Sequence, residues 1–247
     1  ARGAMAKDVR VAFPTKPVTL AAQVRGNMKS LTLNRIYGDL PGVVRMELSG
    51  QMTNVADSVR RAGSFRFFAE AGELNFLLDM LPKEDRGMYH IPYGMKLTGT
   101  AAMKNQDYTT DMTLAEGSGR AQLKGHYNSK SVDYSADLKV DSLEPVHFMP
   151  KDSLYWLAAT VKVDGHGTDF YSPRTQIHFD GKVDNVRYGT SSLSDISLKG
   201  SLEKNHLLVD FSSSYPLADM VASLDATVTR KKFDGFMTAD VKKLDLF

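Results

Sequence analysis

The chain has 247 residues, of which 42% are hydrophobic and 24% charged, the balance of a folded protein rather than a disordered one. Its net charge is only +2, with lysines and arginines interspersed among acids, so it lacks the clustered basic surface of a nucleic-acid binder. Cysteine is absent, which removes thiol catalysis, disulfides and thiolate metal sites.

In chain order, residues 1–6 read as a cloning remnant, and "ARGAMAKDV" carries no signal-peptide hydrophobic region. From there the pattern is almost unbroken alternation of apolar and polar residues, the signature of half-buried strands. It begins with Leu20, Ala22 and Val24, and returns with Val44, Met46 and Leu48. The stretch 55–62 fits neither helix nor strand clearly. Residues 72–82 carry Leu74, Leu77, Leu78 and Leu81 at helical spacing and predict a short helix. Its apolar run "LNFLLDMLP" is far short of the roughly 20 residues of a membrane-spanning helix.

Alternation resumes at Met95 and Leu97, then at Tyr108, Thr110, Met112 and Leu114, at Ala121 and Leu123, and at Tyr134, Ala136, Leu138 and Val140. "MPKDSLYWL" (149–157) predicts a second short helix, capped by Asp152 or Ser153. Strands follow over Leu157 to Val163, Ile177 and Phe179, Ile196 and Leu198, Leu207 to Phe211, Met220 to Val228, and Met237 to Val241. The expectation is an all-β chain of roughly 14–16 strands. Weak internal repetition accompanies it: "YSADLKVDSL" (134–143) parallels "MTADVKKLDL" (237–246), and "MLPKED" (80–85) parallels "FMPKDS" (148–153). The organisation expected is a β-rich first part over 7–91 running on into β repeats over 92–247.

Each strand is apolar on one side only. The other side carries Gln23, Arg25, Glu47, Lys96, Lys124, Lys162, His178 and Lys199, as in an antiparallel sheet with one wet face. Seven glycines fall in phase with the apolar side: Gly26, Gly50, Gly99, Gly125, Gly165, Gly181 and Gly200. A glycine weakens a strand, so the repetition predicts that each lets its strand bend. Such bends would curl a long sheet lengthwise into a trough with a hydrophobic groove. The predicted lining is Val44, Met46, Leu48, Met95, Leu97, Met112, Leu114, Leu123, Tyr134, Leu138, Val161, Val163, Ile177, Phe179, Ile196, Leu198, Val209, Phe211, Leu224 and Val228. The plainer alternative is a β-sandwich or barrel with glycines at its corners.

Motifs that carry chemistry are missing. No two of the six histidines stand at a metal-ligand spacing such as HxxxH. "SLEK" (201–204) fits SxxK but falls in a strand-turn rather than at a helix start. "GHGTD" (165–169) reads as a turn. The sequence predicts no enzyme, no cofactor and no metal, although carboxylate pairs for glycoside chemistry meet only in three dimensions.

The stretches "IPYGMKLTGTAAMKNQDYTTDMTLAEGSGRAQLKGHYNSKSVDYSADLKVDSL" and "FMPKDSLYWLAATVKVDGHGTDFYSPRTQIHFDGKVDNVRYGTSSLSDISLKGSLEKN" resemble the repeating region of AsmA-like proteins of the TamB (translocation and assembly module) type. The shared elements are strands ending in glycine, the "LPxD"-like break and the "GxGTD" turn. The resemblance covers about Pro92 to Phe247 well and the first ninety residues loosely. It implies a β-taco, a tube-like trough that shields phospholipid acyl chains in the periplasm on their way to the outer membrane. It also implies a parent chain anchored in the inner membrane, with an outer-membrane barrel partner, of which this chain is an internal segment. The alternative function is a non-enzymatic extracellular β-sandwich or adhesin-like module, and a third is a β-rich carbohydrate enzyme.

Overall fold

A computed structural model describes residues 17–82, 84–85, 87–216 and 218–244; the expectation for residues 1–6 lies outside the described residues. The strands are β1 (Thr19–Gly26), β2 (Ser30–Leu40), β3 (Val44–Thr53), β4 (Ala62–Ala71), β5 (Lys96–Lys104), β6 (Asp107–Glu116) and β7 (Gly119–Asn128). They continue as β8 (Asp133–Leu143), β9 (Leu154–His166), β10 (Gln176–Tyr188), β11 (Ser191–Glu203), β12 (His206–Tyr215), β13 (Ala218–Val228) and β14 (Phe233–Leu244). All fourteen form one antiparallel sheet in which spatial order equals chain order. Among the described residues, helix is confined to two 3₁₀ stretches, Asn75–Met80 and Pro145–His147.

The meander follows from the linkers. Gly26, Gly42, Asn105, Gly117, Gly189 and Asn205 adopt positive φ at or between the ends of successive strands, which lets short connections reverse the chain. Three connections are long: 72–95, 144–153 and 167–175. The first two meet at one end of the sheet, where the His90 amide donates to the Phe148 carbonyl at 2.7 Å and His147 Nδ1 lies 2.9 Å from Glu116. The third closes the opposite end, where Asn205 donates to the carbonyls of Tyr171 and Val228.

Two expectations are corrected. The sheet is open and uncurled where a curled trough was expected, and it does not show the hydrophobic groove: apart from the Pro145–His147 stretch on β9, each strand makes its main contacts with its sequence neighbours, and among the described residues β1 and β14 stand as separate edges. The second predicted helix is also absent, because 149–153 is a turn and β9 starts at Leu154. The first appears as the short 3₁₀ stretch, with no buried residue. No second sheet lies against the first among the described residues.

Burial is correspondingly thin. The buried apolar residues, such as Leu40, Val43, Val140, Leu202 and Val228, cluster beside the three long connections. The accessible surface is 16305 Å², whereas a compact monomer of 27.3 kDa exposes about 10,900 Å². A single layer has no inner core of its own.

Candidate functional site

The register assembles the period-two pattern into a surface. Starting at Ala22, direct cross-strand partners run Ile36, Leu48, Phe67, Gly99, Met112, Leu123, Leu138, Val161, Gly181, Leu198, Phe211, Ala222 and Ala239. Every strand contributes one residue and every residue is apolar or glycine. Parallel rows begin at Leu20, Val24 and Gly26 and also cross all fourteen strands. Across the four rows the polar groups are Thr110, Ser213 and the hydroxyls of Tyr108, Tyr127 and Tyr134, and none is charged. At the usual spacings the patch measures about 60 Å across the strands and about 20 Å along them.

Of the twenty predicted lining residues, nineteen lie on this one face: Val44, Met46, Leu48, Leu97, Met112, Leu114, Leu123, Tyr134, Leu138, Val161, Val163, Ile177, Phe179, Ile196, Leu198, Val209, Phe211, Leu224 and Val228. Met95 sits just ahead of β5, where its carbonyl accepts from the Ala71 amide at 2.8 Å. The sequence pattern did not single out Ile36, Phe65 or Phe67, which belong to the same face. Most face residues are half-buried by their neighbours, while Met46, Val161 and Leu198 are exposed.

The seven glycines lie on the face, and their surroundings differ from the bends expected of them. Four stand directly opposite an aromatic residue: Gly50 by Phe65, Gly99 by Phe67, Gly165 by Tyr134 and Gly200 by Phe179. A Cβ on Gly99 would lie 2.7 Å from Phe67 Cζ, and one on Gly165 would lie 2.7 Å from Tyr134 Cζ. A Cβ on Gly200 would collide with the Phe179 ring. Missing side chains therefore make room for rings from the neighbouring strand, the glycine–aromatic pairing that restores packing lost at a strand glycine. Gly26 sits at the turn end of β1 with φ of 126°. Gly125 and Gly181 have more space: a Cβ on Gly181 would meet only the Leu198 carbonyl, at 3.6 Å.

The opposite face is polar, and its charges are ordered. Asp111, Lys124, Asp137, Lys162, Asp180, Lys199 and Asp210 are successive cross-strand partners from β6 to β12, so acid and base alternate across seven strands. Lys199 comes within 3.3 Å of Asp180 and Lys124 within 3.9 Å of Asp111. Nearer one end, histidines meet carboxylates: His126 with Asp107 at 3.2 Å, His166 with Asp133 at 2.8 Å, and His206 with Asp225 at 2.6 Å. His178 lies between Glu203 at 2.9 Å and Asp164 at 3.3 Å. The Glu203 contact, followed by Asp164, raises the His178 pKa above the usual imidazole value. Hydrogen bonds from Asn128 and then His126 hold Asp107 below the usual carboxylate range, and Ser131 and then His166 do the same for Asp133.

Depressions in the surface open on this polar side. One of about 480 Å³ is floored by Ser49, Ser64, Arg66, Thr100 and Ala102, and another of about 390 Å³ by Lys124, His126, Ser135, Asp137, Lys162 and Asp164. Both are shallow and open. No group of three or more metal-binding side chains occurs among the described residues. The chemistry on offer is therefore an extended apolar surface backed by a charge-patterned one. No family model, curated protein or solved structure matches the chain.

Proposed function

We propose that this chain is a segment of a lipid-conduit protein of the AsmA-like, TamB-type kind. In this reading its apolar face shields phospholipid acyl chains crossing a periplasm toward the outer membrane. It works without catalysis, cofactor or metal. Its parent chain is anchored in the inner membrane and delivers lipid near an outer-membrane barrel partner.

The observation that carries the reading is the set of four uncharged rows spanning all fourteen strands. A monomer seldom exposes an apolar patch above a few hundred Å² unless something binds there, and this patch is on the order of 1,000 Å² at standard strand spacings. An acyl chain suits it because the attraction is non-directional: each fully buried CH₂ is worth roughly 0.8 kcal/mol and needs no positioned polar partner. A strip uniform in character from β1 to β14 offers similar binding at every step, as a sliding ligand requires. The motif resemblance over 92–247 points the same way. A β-sandwich module would bury the same residues under a second sheet, and no observation favours that arrangement.

The test is extraction of the purified chain with organic solvent and mass spectrometry of what it carries. Phospholipid should co-purify, and Leu198→Asp, in the middle of the Ala22 row, should abolish retention while circular dichroism still reports β structure. A charge change on the opposite face, Lys199→Gln, should leave retention intact. A folded wild-type chain that carries no amphiphile and takes up no fluorescent phospholipid refutes the proposal.

A further inference from the structure

We infer that Arg61 and the Tyr108 hydroxyl form a seat for the anionic headgroup of an amphiphile whose acyl chain lies on the apolar face. The inference rests on the acyl-binding reading above and adds the headgroup chemistry to it. Arg61 immediately precedes β4, in phase with Gly63, Phe65 and Phe67. A fixed positive charge therefore stands one step beyond the four uncharged rows, on their side of the sheet. The Arg61 carbonyl accepts from the Asn105 amide in the β5–β6 turn at 2.8 Å, and its Nη2 donates to the Tyr108 hydroxyl on β6 at 3.0 Å. The side chain is thereby held at the margin of the face, where a headgroup meets water and an acyl chain meets the rows.

Two features of Arg61 call for an anion. Its Nε is buried with no hydrogen-bond partner among the described residues, and buried donors in folded proteins are nearly always paired. Its charge also has no carboxylate within ion-pair distance among the described residues. Asp57, the carboxylate nearest in sequence, is taken by Arg60 Nε at 2.7 Å and by the Val59 and Arg60 amides at 3.0 Å each. A guanidinium offers five N–H donors in a planar fork that matches phosphate and carboxylate oxygens, and Tyr108 engages only one of them. The Tyr108 oxygen accepts that bond and keeps its own hydrogen to donate. Tyr127, 40% exposed, stands directly opposite Tyr108 with ring centroids 6.5 Å apart, adding a second hydroxyl to this margin. One row further in, Ala101, Thr110, Gly125 and Ala136 are successive partners on β5 to β8. They form a low strip about 14 Å long between the tyrosines and the row of Met112, Leu123 and Leu138. An acyl chain laid along it from β8 toward β5 brings its head toward Arg61.

Calorimetric titration of the full chain compares decyl phosphate, held below its micelle concentration, with decanol and with inorganic phosphate. The wild type should bind decyl phosphate about tenfold more tightly than decanol. Arg61→Gln should remove that preference and leave decanol binding unchanged, a split that a merely structural arginine does not produce. Tyr108→Phe, the milder change, should weaken decyl phosphate about threefold with decanol again unaffected, and it carries the test if Arg61→Gln does not fold. A preference that survives Arg61→Gln overturns the inference, as does a folded variant that weakens both amphiphiles alike. Inorganic phosphate that binds as tightly as decyl phosphate also overturns it, because the seat then takes the free anion. Decanol and decyl phosphate binding the wild type equally sinks the headgroup seat alone, whereas binding of neither sinks the acyl-binding reading as well.

Discussion

Gly200 and Gly181 lie on the same apolar face of adjacent strands, yet the structure gives them opposite responses to alanine. At Gly200 an added Cβ enters the Phe179 ring and comes within 2.8 Å of the Leu208 carbonyl. The backbone atom cannot yield, and the ring is held on the far side by Val163, its partner on β9. Overpacking of this kind costs about 1–3 kcal/mol. Relief of glycine's extra unfolded-state entropy offsets about 0.5–1 kcal/mol. Gly200→Ala should therefore destabilise its region by about 0.5–2 kcal/mol. At Gly181 the nearest atom would be a carbonyl oxygen at 3.6 Å, ordinary contact, so Gly181→Ala should stabilise by about 0.5–1 kcal/mol.

The assay must be local, because strands that touch only their neighbours need not unfold as one unit. Native-state hydrogen exchange at the amides of β10, β11 and β12 reads the opening free energy of that segment. Phe179→Leu should lessen the penalty of Gly200→Ala, giving a coupling of about 1 kcal/mol in a double-mutant cycle. If Gly200→Ala raises protection as Gly181→Ala does, the ring is not held over the glycine and the pairing argument fails for all four sites.

Three further outcomes follow from the polar face. Lys162→Glu places a carboxylate between Asp137 and Asp180 and should lower the opening free energy of β8–β10 by ~1 kcal/mol, less at 1 M salt than at low salt; an effect independent of salt refutes the ladder as its cause. The raised pKa of His178 contributes stability that is fully present below the ordinary imidazole value near 6.5 and lost as pH rises through the folded-state value. His178→Gln should flatten that alkaline-side loss in exchange across β9–β11. The lowered pKa values of Asp107 and Asp133 act with the opposite sign: their contribution is present above the ordinary carboxylate value and lost as pH falls through the folded one. Asp133→Asn should remove part of the acid sensitivity of the β8–β9 pair, and an unchanged acid limb refutes it.

Period-two alternation was enough to find twelve of the fourteen strands, and the two it missed have identifiable causes. In β2, Leu31 and Leu33 alternate correctly, but the register shifts between Leu33 and Ile36, and the extra residue throws the second half out of phase. In β4, Phe65 and Phe67 face the apolar side while Phe68 faces the other, so hydrophobicity does not alternate along the strand. The glycines were legible as a set, whereas their aromatic partners lie one strand away and emerge only once register is known. The charge ladder was hidden for the same reason: its seven members are spread over 100 residues, and nothing in any one strand announces it. Curvature was not legible at all, because an in-phase glycine is compatible with a bend and equally with a ring packed over it.

The two faces divide the work between them. An apolar surface of nearly uniform rows constrains register weakly, because a slip of two residues replaces one apolar pair by another. The polar face supplies the discrimination: a two-residue slip of β9 against β8 would move Lys162 away from Asp137 and place it opposite Ser135 or Lys139. Glycine–aromatic pairs add a second lock, since a slipped Phe179 would meet Leu198 or Leu202 instead of the gap at Gly200. Register is thus fixed by residues whose changes cost about 1 kcal/mol each, while the remaining apolar positions need only stay uncharged. Exchanging Leu123 for Ile or Met should then alter neither exchange protection nor lipid retention, whereas moving a single charge onto that row should abolish retention. A face that tolerated Leu123→Lys in both assays would show that nothing apolar rests on it.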